Sequence, residues 1–407
     1  MQRQYLAGKP IHMISVNEAI ELIRKNTGLL SPVSLPLQQA YSKVLAEDVY
    51  AGLSIPAFDQ AAMDGYAIRF SDLMQTKEFI VSGEVAAGSS RHLSLQSFHA
   101  VRIFTGAAIP DGYDTVVMQE KTEANGNRVV IKDELLAQGT NVRREGTEIK
   151  KGEPALQKGI VLTPAAIGFL AALGITDVNV YLKPTVHIIV TGNELQTPGT
   201  PLQYGQVYES NSVMLQTALK QLHITDSIIS VVGDNASEIT TAITKALAKA
   251  DLVLLTGGVS VGNYDFVVEA CGKAGVAQLF HKVAQRPGKP LYCGRREDKI
   301  IFGLPGNPAS VLSCFYTFVI VAIEELSGRK NLLERRQVPL LADFSKKIAL
   351  TQFLKANCTG EGVMPLQAQE SFRLSSFAVA NCLLVLPEEK REYHAGDIVE
   401  ILLLPNL

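Results

Sequence analysis

The sequence predicts a multidomain protein of α/β plus β class, in which a parallel sheet covered by helices is joined to two mostly-β regions. Three observations support this. At 407 residues the chain exceeds what a single hydrophobic core organises. From Thr185 onward, short apolar runs alternate with helix-length stretches, the pattern of βα units. Residues 45–147, and the segment after Arg329, instead carry short β-like runs split by turns.

In chain order, residues 15–25 read as an amphipathic helix opened by a Ser15–Glu18 capping box, and Pro32 and Pro36 then break the pattern. The next region contains FIVSGEVAAG, AVRIFTG, DTVVMQE and NRVVIKD, with Asn125-Gly126 as a hairpin signal. Thr163-Pro164 starts a helix, threonine as cap and proline in its first turn, and Gly174 ends it. Strands are expected at 186–190, 228–232, 252–255, 278–283 and 300–302, and helices at 212–222, 236–250, 266–274 and 308–326. Asn235 and Glu238 form another capping signal. VPLLADF, FAVANCLLVLP and DIVEILLLP then predict a small β-barrel or sandwich.

Composition narrows the function classes. A net charge of −2 gives no bulk attraction for nucleic acid, so any anion site must be local. The longest apolar stretch, 311–323, is interrupted by Ser313 and Thr317 and reads as a buried helix, with no membrane segment expected. The N-terminus lacks an apolar signal core. Five scattered cysteines without C-x-x-C spacing point to a reducing, cytoplasmic setting and no zinc site.

Ligands of open α/β sheets gather at the carboxyl ends of the strands. There the sequence places Glu194, Asp234, the glycine loop 257–265 (Gly257, Gly258, Ser260, Gly262 and Asp265), Arg286 with Lys289, and GLPGNP at 303–308. Glycines let backbone N–H groups approach a phosphate closely. An acid at the end of such a loop tolerates a phosphate when a cation lies between them. Glu194, Asp234 and Asp265 are the expected magnesium-binding set, and Arg286 and Lys289 the anion-binding pair. Asn307 can cap the following helix, with Pro308 in its first turn, leaving N–H groups for an anion. A plain strand-to-helix turn would use the same residues. PAFDQAAMDGYA adds Asp59 and Asp64, and FTGAAIP adds Thr105; turns alone would also account for them.

PAFDQAAMDGYA, FTGAAIPDGYDTVVMQE, VRREGTEIKKGE, VTGNEL, TGGVSVGNYD, RPGKPLYCG and GLPGNPAS, in this order, resemble the molybdopterin molybdenumtransferase family. The resemblance implies a molybdopterin-binding α/β domain (1–26 and 176–329), a segmented linker domain (27–45 and 148–175), an inserted mostly-β domain (46–147) and a C-terminal β-barrel (330–407). It implies a homodimer whose cleft draws on both subunits, with molybdopterin adenylyltransferase and molybdoenzyme maturation proteins as possible partners. The implied reaction joins molybdate to adenylylated molybdopterin, with Mg2+-dependent hydrolysis and release of AMP. Asp59, Thr105, Glu148, Glu194, Asp234 and Asp265 align with functional polar residues of the family. Lys289, Ser310, Lys355, Ser375 and Ser376 align with the molybdate region, and Pro305, Gly306 and Pro308 with the loop that shapes it. Glu148 stands where aspartate is common, Arg286 where lysine is, and Lys355 where the barrel has arginine. A non-catalytic molybdopterin-binding scaffold and a molybdopterin adenylyltransferase are the alternative readings.

Overall fold

The computed structural model describes residues 13–89, 94–257 and 266–405. It divides into two compact units, Met1–Val33 with Tyr181–Leu407, and Ser34–Val180.

The first unit is built on a six-stranded sheet. Its strands are β1 (Val186–Thr191), β2 (Ser227–Val232), β3 (Leu252–Thr256), β4 (Ala277–His281), β5 (Tyr292–Arg296) and β6 (Lys299–Leu304), in the order β2-β1-β3-β6-β5-β4. β1 and β3 are buried along their whole length, as expected of parallel strands covered on both faces. The covering helices are α1 (Val16–Asn26), α2 (Asn211–Gln221), α3 (Ala236–Leu247), α4 (Phe266–Lys273) and α5 (Pro308–Ser327). The local signals behave as the residues dictate. Ser15 and Glu18 form the complete capping box of α1, and Asn235 Oδ1 accepts from the Ser237 and Glu238 N–H groups at the start of α3.

The sheet is not wholly parallel. β5 runs antiparallel to β6 and β4, and no strand was expected there. Its glycine-interrupted run YCGRR is tied to β6 by a two-residue turn, with Arg296 opposite Lys299 and Glu297 at φ 55. A two-residue connection can only join antiparallel strands, since a parallel pair needs a crossover. β4 thereby keeps the direction of β1, β2, β3 and β6, so the segment after it emerges at the same carboxyl edge.

α5 is long and apolar enough to span a bilayer by length and composition, but 83% of its apolar 18-residue window is buried. It contains a π turn at Phe315–Val319. Val311, Phe315, Phe318 and Val319 share one core with α1, the sheet and barrel residues Phe353, Phe377, Leu383 and Leu402.

The barrel strands Arg335–Pro339, Ile398–Leu403, Cys382–Leu386, Thr351–Cys358 and Val363–Pro365 pair in that order. A bridge between Leu340 and Val363 brings the last back to the first, closing the barrel. Gln285–Arg286 adds a parallel pairing to Thr351 and Gln352.

The second unit carries another six-stranded sheet, ordered Thr115–Met118, Gly65–Ile68, His99–Ile103, Glu78–Val85, Arg128–Ile131 and Thr122–Asn125. The Asn125-Gly126 hairpin forms as expected, with Arg128 opposite Asn125. Thr163 caps the helix Pro164–Ala172 through Ala166 N–H at 3.2 Å.

Candidate functional site

The carboxyl edge of the α/β sheet collects buried polar atoms that have no partner among the described residues. Thr191 Oγ1 ends β1, Thr256 Oγ1 ends β3, Asp234 Oδ1 follows β2, and Asn211 Oδ1 opens α2. Each unpaired buried polar group costs about 1–3 kcal/mol. Four at one edge make it a candidate site for a polar ligand that would complete the hydrogen bonding. Of these residues, only Asp234 stood out in the sequence.

The backbone around them is tight. Gly257 has φ +86, and a Cβ there would lie 2.3 Å from the Thr191 carbonyl oxygen, so only glycine fits. Asn193 Oδ1 accepts from Asp234 N–H at 3.3 Å, linking the loop after β1 to the loop after β2. Glu194 is exposed on the same loop, its carbonyl accepting from Val207 N–H at 2.9 Å. Gly258, Ser260, Gly262 and Asp265 lie outside the described residues. Among the described residues no cluster of three acidic, histidine or cysteine side chains could hold a metal.

Beside this edge is a cleft of about 850 Å³. Arg286, Lys289, Pro305, Asn307 and Ser310, all singled out from sequence, line it together with Gln369 to Phe372. Arg286 and Lys289 are exposed, and neither side chain pairs with another group among the described residues. Glu370, the acid in the lining, is engaged by Arg373 at 3.1 Å. The cleft thus presents two uncommitted cations. Gly288, between them, has φ +80 and leaves no room for a side chain, because a Cβ would sit 2.4 Å from Cys314 Sγ. Burial pushes the Cys314 thiol up to about 12, so it is no nucleophile at neutral pH.

The GLPGNP turn joins the two regions. The Gly306 carbonyl accepts from Asn211 Nδ2 at 3.0 Å on the sheet-edge side. On the cleft side, Asn307 does not cap α5 with its side chain; Nδ2 donates to Ser371 Oγ at 2.8 Å. The Ala309 N–H donates to the Ser371 carbonyl at 3.1 Å. This corrects the expected open helix N-terminus, since one of its first N–H groups already has a protein acceptor.

The barrel residues fall into two kinds. Ser375 is exposed, whereas Lys355 and Ser376 are buried and hydrogen-bonded within the protein.

In the second unit, Asp59 accepts from Arg144 Nη1 at 2.6 Å and from Glu145 N–H at 2.8 Å. Asp64 Oδ1 accepts from both N–H and Oγ1 of Thr105, at 2.8 and 2.7 Å. Those two bonds hold the Asp64 carboxyl below its ordinary value. Gly65 follows directly; a Cβ there would meet the Val117 carbonyl oxygen at 1.8 Å. Glu148 is exposed, its N–H donating to the Ile55 carbonyl at 3.0 Å.

Comparison with known proteins matches three segments of the chain. Residues 14–174 match the MoeA N-terminal region (domains I and II), 187–325 a probable molybdopterin-binding domain, and 337–404 the MoeA C-terminal region (domain IV). A molybdopterin molybdenumtransferase of Haemophilus influenzae is 38% identical over 374 residues, 90% of this chain and 92% of that protein. One from Staphylococcus epidermidis is 35% identical over 400 residues, 96% and 95% of the two chains. A crystal structure of the molybdopterin biosynthesis MoeA protein from Pyrococcus horikoshii matches with a TM-score of 0.80 at 32% identity, covering 96% of this chain and 100% of that one. A second MoeA structure from that organism gives 0.85 at 28% identity, covering 97% and 100%. The motifs, the fold and these relatives agree: the chain belongs to the molybdopterin molybdenumtransferase family of molybdenum cofactor biosynthesis.

Proposed function

We propose that this chain inserts molybdenum from molybdate into adenylylated molybdopterin and releases AMP. The observation that carries the reading is the junction at residues 305–307, where a sheet edge with polar atoms unsatisfied among the described residues meets a cleft with two cations that pair with none of those residues. The sheet edge suits the polar, phosphate-bearing pterin nucleotide, and the cleft suits the oxyanion.

Electrostatics explains the arrangement. Molybdate is a dianion and the pyrophosphate link is anionic, so bringing them together without countercharge is unfavourable. At an effective dielectric near 20, one unit-charge pair at 4 Å contributes about 4 kcal/mol. Arg286 and Lys289 would offset the charge of molybdate, and the planar guanidinium can grip two of its oxygens. Attack by water or a molybdate oxygen on phosphorus breaks the phosphoanhydride bond, and AMP leaves. The sulfurs that capture molybdenum belong to the pterin, in keeping with the buried cysteines Cys271, Cys293, Cys314 and Cys382.

Glu194 and Asp234, with Asp265 as the resemblance implies, would hold magnesium. The partnerless Oδ1 of Asp234 fits this, and Mg2+ commonly takes one or two carboxylates together with substrate phosphates. When bound, the ion supplies charge neutralisation at the phosphate oxygens. The homodimer, the cytoplasmic setting, the four-part domain division and the contributions of Asp59, Thr105 and Glu148 rest on the family resemblance.

The test is AMP release from purified protein given adenylylated molybdopterin, magnesium and either molybdate or tungstate. Turnover with at least one oxyanion is expected. No AMP from a competent substrate with either would overturn the assignment.

A further inference from the structure

One lip of the cleft is held in place by a buried ammonium. Lys355 is 3% exposed, and its Nζ donates to the carbonyls of Ala368 at 2.7 Å, Arg373 at 3.1 Å and Glu370 at 3.3 Å. An ammonium has three donors, so all are committed to main chain. Ala368 sits at φ +60, a conformation in which Cβ crowds the backbone and which alanine seldom adopts. Its carbonyl also accepts from Ser376 Oγ at 2.7 Å. Gln369 completes the arrangement: Nε2 donates to the carbonyls of Lys355 and Leu366, each at 2.7 Å, and Oε1 accepts from Lys355 N–H at 3.0 Å. Gln369 to Phe372 form the lip, and Ser371 carries the connection to Asn307 and Ala309 at the start of α5.

We infer that Lys355 and Ser376 are positioning residues rather than oxyanion ligands: they latch the left-handed turn at Ala368 and so set the 369–372 lip of the cleft that holds Arg286 and Lys289. This rests on the proposed anion cleft and departs from the substrate-binding role that the family alignment gives both residues. The lysine that stands where the family has arginine meets three main-chain carbonyls with its three donors.

The experiment uses the full chain with Ser376→Ala, Lys355→Met and the double variant. Hydrogen exchange of residues 366–373 reports the latch, and calorimetric titration with molybdate alone reports the cleft. Ser376→Ala, the milder change, keeps the proposal testable if Lys355→Met fails to fold. Faster exchange of the lip is expected in each single variant. Molybdate affinity should fall roughly fivefold in Ser376→Ala, the effect of about one hydrogen bond, with Lys355 still present. The double variant should lose little more than Lys355→Met, since both act through Ala368. Unchanged exchange in Ser376→Ala, or strictly additive affinity losses, would overturn the latch. Faster exchange with unaltered molybdate affinity would also overturn it, provided Arg286→Ala still loses binding. If Arg286→Ala binds normally as well, the anion cleft itself is refuted.

Discussion

Asn211 Nδ2 donates to the carbonyl of Gly306 at 3.0 Å, while Oδ1 of the same side chain is buried with no partner among the described residues. One amide thus fixes the turn that leads into α5 and keeps an acceptor in reserve. Replacing it by alanine removes both functions. Asn211→Ala should weaken binding of the adenylylated pterin roughly tenfold, about 1.4 kcal/mol, the upper range for one hydrogen bond. Calorimetric titration of the pterin nucleotide against the variant checks this, and unaltered affinity would remove Asn211 from the site.

Gly257 gives a steric prediction. A Cβ at this position would lie 2.3 Å from the Thr191 carbonyl oxygen, on a backbone already at φ +86. Gly257→Ala must push the ends of β1 and β3 apart, at a cost of about 1–3 kcal/mol. The expected result is a lower unfolding midpoint in thermal denaturation together with lost turnover.

Lys289 should separate the two substrates. Its ammonium lines the cleft and has no partner among the described residues, so Lys289→Ala removes charge without breaking a described protein contact. The KM for molybdate should rise more than tenfold, with the pterin KM changed much less. Equal losses for both would refute the division of roles.

The Asp64–Thr105 pair makes a pH prediction. The Thr105 bonds lower the folded-state pKa of Asp64, so the fold favours the ionised carboxylate. That contribution is complete above the unfolded carboxylate value and is lost as pH falls through the lower folded value. Thr105→Val removes the hydroxyl bond but keeps the N–H bond. Its Asp64 titration, followed by NMR, should move up toward the ordinary carboxylate range.

Much of this architecture could be read from residues because its signals are local. The Ser15–Glu18 box, the Thr163-Pro164 start and the Asn125-Gly126 turn act over three or four residues, and each forms as expected. β5 was hidden because its identity depends on pairing rather than on its own pattern. Among site residues, Arg286, Lys289, Pro305 and Asn307 were legible as polar or glycine-rich strand ends and Ser310 through the family resemblance, and the cleft unites them. Thr191 and Thr256 were harder to find, since each is a single hydroxyl closing an apolar run; that position is the one clue they offered. Lys355 was placed in the molybdate region by the resemblance; nothing within TQFLKAN shows that its ammonium meets the main chain of the turn at 368–373.

The shared core of the barrel and the α/β sheet limits how this chain can be divided. Phe353, Phe377, Leu383 and Leu402 pack with Phe315, Phe318 and Val319, and Thr351 and Gln352 pair with the strand that carries Arg286. A fragment ending near residue 329 would leave α5 bare on one side and release the backbone beneath the cationic wall of the cleft. Cutting off the tail therefore exposes apolar surface of α5 and frees the strand that carries Arg286, whatever its separate strand topology suggests.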